Sequence, residues 1–200
     1  MTEHYYSEKP ETKSEPIVWR TQLRNHPFVF TTDNSVFSKH SVDFGSRLLL
    51  ETFEEPEIPG PILDVGCGYG PIGLSVAKSY PDRAVHMIDI NERALNLAEK
   101  NARDNAVSNV KIYYSNLFEH VSEENFAAIL TNPPIRAGKK TVHTIFEKSF
   151  HHLIKQGELW VVIQKKQGAP SARKKLEELF GNVDVVKKEK GYFIFRSRKI

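Results

Sequence analysis

The sequence predicts an α/β fold: a doubly wound, mostly parallel sheet with an antiparallel C-terminal edge, preceded by a small hairpin and helix. Three observations predict it. From Pro61 onward, short apolar runs alternate with helical patterns, the order of βαβ units. Those runs lack polar alternation, as expected of strands covered on both faces. The final stretch, NVDVVKKEKGYFIFRSRKI, instead reads as two strands folded back around Lys190-Gly191. A chain of 200 residues is long enough for one domain with a substantial core.

The elements follow in order. Residues 1–16, rich in Glu, Lys, Ser and Pro, are expected to form a flexible tail, and 17–200 a single domain. IVWRTQLR and FVFTT flank Asn25-His26-Pro27 and predict an antiparallel hairpin. A helix is expected over SVDFGSRLLLETF, with Ser41 as N-cap and Leu48, Leu49 and Phe53 available for burial, before EEPEIPG ends it. PILDV, AVHMIDI, VKIYY, FAAIL and ELWVVIQ read as the parallel strands. Between the second and third of these, Asn91 is placed to cap a helix that aligns Ala94, Leu97, Ala98 and Ala102 on one face. Ligands of such sheets bind beyond the carboxyl ends of the strands.

Composition narrows the function classes. With 40% apolar and 26% charged residues, and no apolar run near the ~20 residues of a membrane span, no membrane association is expected. The N-terminus lacks the basic-then-apolar order of a signal peptide, and one cysteine cannot form an internal disulfide, so a cytoplasmic location is expected. The eight histidines show no metal-ligand spacing, and no metal is expected. The net charge of +3 conceals a gradient: residues 165–200 carry four acids against eleven bases. Such a segment suits either a polyanion, through neutralisation of phosphates, or plain solvation.

The first parallel strand ends in DVGCGYGPIG. Gly68, Gly70 and Gly73 satisfy the G-x-G-x-x-G pattern, and Asp89 lies 21 residues past Gly68, where a dinucleotide-binding acid belongs. Electrostatics argue against that ligand, because Asp64 precedes the loop and is expected at its mouth, where a pyrophosphate would lie. A cationic ligand fits better, and S-adenosylmethionine (SAM) carries a sulfonium and an ammonium without a phosphate. Asp64-Val65-Gly66-Cys67-Gly68-Tyr69-Gly70 resembles the first motif of class I SAM-dependent methyltransferases, whose sheet is Rossmann-like and seven-stranded. The resemblance implies that Gly66, Gly68 and Gly70 admit the methionine moiety, that Asp64 organises the loop or the ammonium, and that Asp89 takes both ribose hydroxyls. It also implies that Asn116 stands where the family often has an acid accepting from the adenine amino group. Cys67 sits inside this loop, not in an acceptor pocket, and reads as a small packed residue.

The fourth of these strands ends in LTNPPIRAGKK. Asn132-Pro133-Pro134-Ile135 resembles the (Asn/Asp/Ser)-Pro-Pro-(Tyr/Phe/Trp) signature of enzymes that methylate exocyclic or amide nitrogens. The chemistry accounts for these residue types. Such a nitrogen delocalises its lone pair and must be reoriented by acceptors, here the Asn132 side-chain oxygen and the Pro133 carbonyl. Prolines fix φ and remove competing donors. An Asp at position 132 would retain an acceptor. Ile135 departs from the signature, replacing base stacking by apolar contact.

VFSKHSVDFGSRLLL, LDVGCGYGPIGL and TNPPIRAGKK together resemble the catalytic domain of RsmC-type ribosomal RNA guanine-N2 methyltransferases over most of residues 28–165. That resemblance implies methyl transfer to guanine N2 of 16S ribosomal RNA, with ribosomal RNA or the small ribosomal subunit as partner, and places Phe37 beside SAM. Arg136, Lys139 and Lys140, next to the NPP turn, are expected to contact the substrate. Adenine N6 of RNA or DNA, a protein glutamine amide, and a non-enzymatic RNA-binding module with a SAM pocket are the alternatives. The long members of that family carry a second, degenerate domain for which 200 residues leave no room.

Overall fold

The computed structural model describes residues 13–34, 36, 38 and 40–200. Residues 1–12 of the expected tail lie outside the described residues. A hairpin, β1 (Ile17–Leu23) and β2 (His26–Thr32), opens the chain, turning on Arg24 and Asn25 with φ of 47° and 63°. Helix α1 (Phe44–Thr52) follows. Then come β3 (Ile62–Val65), α2 (Pro71–Ser79), β4 (Val85–Asp89), α3 (Glu92–Asp104), β5 (Val110–Tyr114) and β6 (Phe126–Thr131). A 3-10 turn at Ile135–Ala137 leads into α4 (Lys139–His152), β7 (Leu153–Gln164), α5 (Ala169–Phe180), β8 (Asp184–Glu189) and β9 (Tyr192–Arg198).

The seven-stranded sheet runs in the order β5-β4-β3-β6-β7-β9-β8. Its first five strands are parallel, and β9 pairs antiparallel with both β7 and β8, as the sequence predicts. Alternation along each strand divides the core in two. Ile62, Met87, Ala128, Leu130, Trp160 and Ile194 face α1, α2, α3 and the hairpin. Leu63, Val65, Ile88, Ile129, Val161 and Phe195 face α4 and α5. Burial on both faces is what keeps β3 and β6 apolar throughout, apart from Asp64 and Thr131.

Two local expectations are corrected. Helix α1 is capped by Asp43 and not by Ser41: the Asp43 carboxylate accepts from Ser46 N at 3.0 Å, so the helix begins two residues later than Ser41 would set it. Strand β7 begins at Leu153, five residues before the apolar run, because a register shift opposite Phe126 and Ala128 and a left-handed Gln156 carry the chain past Gly157.

The hairpin is built into the domain by side chains that imitate a strand. Asn101 accepts from Thr31 N at 2.8 Å and donates to Thr31 O at 3.0 Å, and Asn105 does the same for Val29 at 2.8 and 2.7 Å. Helix α3 thereby satisfies the outer edge of β2, while Phe28 and Phe30 enter the core beside Tyr69. Among the described residues no helix is long and apolar enough to cross a membrane.

Candidate active site

The chain passes from β3 outward through β4 to β5, then returns to lay β6 on the other side of β3. The loops leaving β3 and β6 therefore diverge and open a crevice at the carboxyl edge of the sheet. A cavity of about 570 Å³ fills this crevice. Gly66, Gly68, Asp89, Asn116 and the β3–α2 loop line one part, and Asn132 to Ala137 another. The Thr131 hydroxyl donates to Val65 O at 3.0 Å, tying the two strand ends together.

Strand β4 shapes the glycine loop. Gly66 N and Cys67 N both donate to Ile88 O at 2.9 Å, and Gly68 N donates to Asp89 Oδ2 at 2.8 Å. Gly66 and Gly68 adopt φ of 78° and 56°, and a Cβ on either would meet no atom within 4 Å. Their missing side chains therefore leave open space on the cavity wall, and no packing inside the protein requires it. Gly70 is different. It is not on the cavity wall; its φ is 101°, and a Cβ there would come within 2.8 Å of Leu74 Cδ1, so the glycine serves the tight entry into α2.

Asp64 is also placed differently from expectation. It is 1% exposed, beneath the loop and not at its mouth, accepting from Gly73 N at 2.8 Å through Oδ2, while Oδ1 is buried without a partner. Burial pushes its carboxyl up to about 7; the Gly73 N–H opposes this and nearby Asp89 adds to it. Asp89 reaches the cavity, with Oδ1 accepting from Asn91 N at 2.8 Å and Oδ2 from Gly68 N, and burial raises its pKa above the ordinary carboxylate value. Asn116 donates through Nδ2 to Glu119 at 3.0 Å, which leaves its oxygen on the opposite side of the amide. Burial pushes the Cys67 thiol well up, away from the thiolate a nucleophile requires. Phe37 lies outside the described residues.

This part of the cavity suits a cationic ligand. Arg136 is the single Lys or Arg side chain on the wall among the described residues, and it lies past the NPP turn. A pyrophosphate at the glycine loop would meet Asp89, with Asp64 beneath it, and no cation. A cationic ligand such as SAM would meet no opposing cation there, with Asp89 on the wall and Asp64 beneath it.

Asn132 leaves the fully buried β6 directly into the cavity. Its Nδ2 donates to Ser46 Oγ at 3.0 Å and to Asp43 Oδ1 at 3.3 Å. Only the NH2 half of the amide can donate to a carboxylate, so Asp43 fixes which way the group points and turns its oxygen away from α1. Pro134 O accepts from Ala137 N at 2.9 Å and closes the 3-10 turn, whereas the Pro133 carbonyl falls outside that turn. Ile135 and Arg136 reach the cavity wall; Lys139 and Lys140 open α4 as exposed residues away from it. The sequence reading missed Asp43, Ser46, Gln167 and Tyr192, all on the wall. Asp43 is a residue type that caps helices and so carries a readable local signal, but nothing local couples it or Ser46 to Asn132, 86 residues beyond Ser46.

Comparison with known proteins gives the family. The model of the family described as methyltransferase small domain matches residues 27–196, a span holding the glycine loop, Asp89, Asn116 and the NPP turn. The chain belongs to the methyltransferase small domain family. It is a SAM-dependent methyltransferase with a Rossmann-like sheet. This methyltransferase is 64% identical to "Uncharacterized protein YbxB" of Bacillus subtilis over the full length of both chains. It is 31% identical to "Ribosomal RNA small subunit methyltransferase C" of Vibrio parahaemolyticus, over 82% of this chain and 47% of that protein. It thus spans about half the length of that relative. Among solved structures, the T. thermophilus 16S rRNA N2 G1207 methyltransferase (RsmC), in complex with AdoMet and guanosine, superposes with a TM-score of 0.83. That match covers 96% of this chain and 52% of the other at 24% identity, a likeness of fold.

Proposed function

We propose that this methyltransferase acts on an exocyclic amino nitrogen of RNA, namely guanine N2 in 16S ribosomal RNA. The observation that carries the reading is the Asn132 amide on the wall of the cavity that also reaches Gly66, Gly68 and Asp89: its NH2 is held by Asp43 and Ser46, which leaves its oxygen as the group free to accept from a ligand. SAM, when bound, supplies an electrophilic methyl group on its sulfonium. Gly66 and Gly68 leave room for its methionine part, Asp89 keeps lone pairs for ribose hydroxyls, and the Asn116 oxygen is placed to accept from adenine.

The chain's own residues then act on the acceptor. The Asn132 oxygen and the Pro133 carbonyl each take one N–H of the amino group, turning its lone pair out of conjugation and toward the methyl carbon. Pro133 and Pro134 supply no competing N–H. The methylated nitrogen is transiently cationic and loses a proton readily, so the step requires no strong base. The names of the curated relatives support RNA as the substrate class. Arg136, exposed at the rim, and Lys139 and Lys140 beyond it are suited to phosphates flanking the target base.

Labelled SAM, offered with undermodified 16S ribosomal RNA, 30S particles, DNA and a glutamine-bearing release factor, tests this directly. Nucleoside analysis should place the label in N2-methylguanosine. Label in N6-methyladenosine would move the target base; label in protein, or binding without turnover on every substrate, would overturn the reading.

A further inference from the structure

Ile135 leaves the position after Asn-Pro-Pro without an aromatic ring. We infer that Tyr192, at the far end of the chain, supplies the surface on which the acceptor base stacks, with Lys165, Lys166 and Lys190 around it for the flanking phosphates. This inference rests on the acceptor being a nucleobase, as proposed above.

Among the described residues, the cavity wall holds two aromatic side chains, Tyr69 and Tyr192. Tyr69 is committed elsewhere. It is 3% exposed in the glycine loop, with its ring edge-on to Phe30 at 5.5 Å and to Trp19 at 6.2 Å. Tyr192 is only partly buried and lies on the acceptor part of the wall with Asp43, Ser46 and Asn132.

Its position is set by strong constraints. Tyr192 opens β9 between two partners, Gln164 of β7 and Glu189 of β8. The preceding turn is left-handed at Lys190 and Gly191, with φ of 46° and 80°, and Lys165 N donates to Gly191 O at 2.7 Å. The ring then lies over the first turn of α1. A Cβ on Gly45 would come within 3.0 and 3.2 Å of Tyr192 Cε1 and Cδ1, and the backbone of Gly45 has no positive φ that would itself call for glycine. Glycine at 45 therefore leaves room for the ring, and for the capping Asp43 Oδ1, which the same Cβ would meet at 3.2 Å. Phe44 supports it at 5.4 Å between centroids, tilted by 54°. Since Gly45 precedes Ser46, the same helical turn holds both the amide that grips the amine and the aromatic ring beside it.

Topology brings cations to this place. Lys165 and Lys166 follow the carboxyl end of β7, and Lys190 lies in the β8–β9 turn at the same edge, with its Nζ 4.6 Å from the Phe44 centroid. All three are exposed. A base entering between Asn132 and Tyr192 would carry its phosphates past them, which gives the basic C-terminal segment a defined role.

Two measurements decide the matter. In the first, guanosine monophosphate is titrated into the protein saturated with S-adenosylhomocysteine while the Tyr192 ring protons are followed by NMR. Upfield shifts that saturate are expected, and unmoved Tyr192 signals overturn the inference whether or not RNA is turned over. In the second, Tyr192→Leu should raise KM for undermodified 16S ribosomal RNA roughly 5- to 150-fold, the equivalent of the ~1–3 kcal/mol of one stacked base, with kcat little changed and SAM affinity intact. Tyr192→Phe should behave as wild type. An unchanged KM in Tyr192→Leu overturns the inference, and so does a loss confined to kcat, which would make the ring a prop for α1. Failure of the wild-type protein to methylate any RNA would sink the proposed function instead, and the titration would still decide Tyr192.

Discussion

Replacing Asn132 by Asp tests the orientation of the amide. Asn132 Nδ2 lies 3.3 Å from Asp43 Oδ1, so the substitution sets a second carboxylate oxygen where a donor stood. Two unit charges at that separation repel by about 5 kcal/mol at an effective dielectric of ~20, and less where water reaches them. The pair then titrates as a unit, with one proton held to a higher pH than either carboxyl alone would hold it. With that proton between the two groups, donor and acceptor are restored; without it, the new side chain is driven away from α1. The rate of Asn132→Asp relative to wild type at the same pH should therefore rise as pH falls. Sequence alone would rank Asp above Ala at position 132 because Asp retains an acceptor; Asp43 removes that advantage above the upper pKa of the pair. There both variants should lose about 10²–10³ in rate. Adding Asp43→Asn removes one of the two charges and, since an Asn oxygen can still accept from Ser46 N and cap the helix, should restore part of the activity without unfolding α1. The assay is single-turnover transfer from labelled SAM at saturating 16S ribosomal RNA between about pH 6 and 9. An Asn132→Asp enzyme that keeps the wild-type rate at every pH, indifferent to Asp43→Asn, would refute the reasoning.

Four further outcomes are expected. Asp89→Ala should weaken SAM by about 1–3 kcal/mol in calorimetry, through lost charge-assisted hydrogen bonds and a loosened Gly68; tight NAD binding without SAM binding would overturn the cofactor assignment. Because burial raises the pKa of Asp64 to about 7, its stabilising contribution is full below the unfolded value of about 4 and is lost as pH rises toward 7. Asp64→Asn should remove that slope, by up to about 4 kcal/mol, in urea unfolding followed across this interval. Gly73→Ala would bring a Cβ within 2.5 Å of Met87 Cγ and should destabilise by about 1–3 kcal/mol despite the better helix propensity of Ala, as read from the urea midpoint. RNA binding should weaken with salt, and Arg136→Ala should reduce the logarithmic slope by about one; an unchanged slope would leave Arg136 without a phosphate contact.

Local pattern determined much of this protein. The parallel strands were legible because a strand buried on both faces must be apolar at successive positions, as Leu63 and Ile129 are, and the α3 helix because its alanines and leucines recur at helical spacing. The glycine loop and the NPP turn were legible because φ restrictions act within a few residues. Tertiary structure decided what each side chain meets. A strand-end Asp reads the same whether it lines a cavity or lies beneath the loop, and only the packing of α2 places Asp64 under Gly73. Asn101 and Asn105 read as the polar residues of an amphipathic helix, yet both are buried because the β2 edge needs donors and acceptors there. The same holds at the acceptor end of the cavity. Asp43, Ser46, Asn132 and Tyr192 come from widely separated parts of the chain, and each carries a local signal for a cap, a turn or a strand. Their convergence depends on the sheet order, which lays β6 beside β3 and β9 beside β7, and no periodicity within a single element encodes that order.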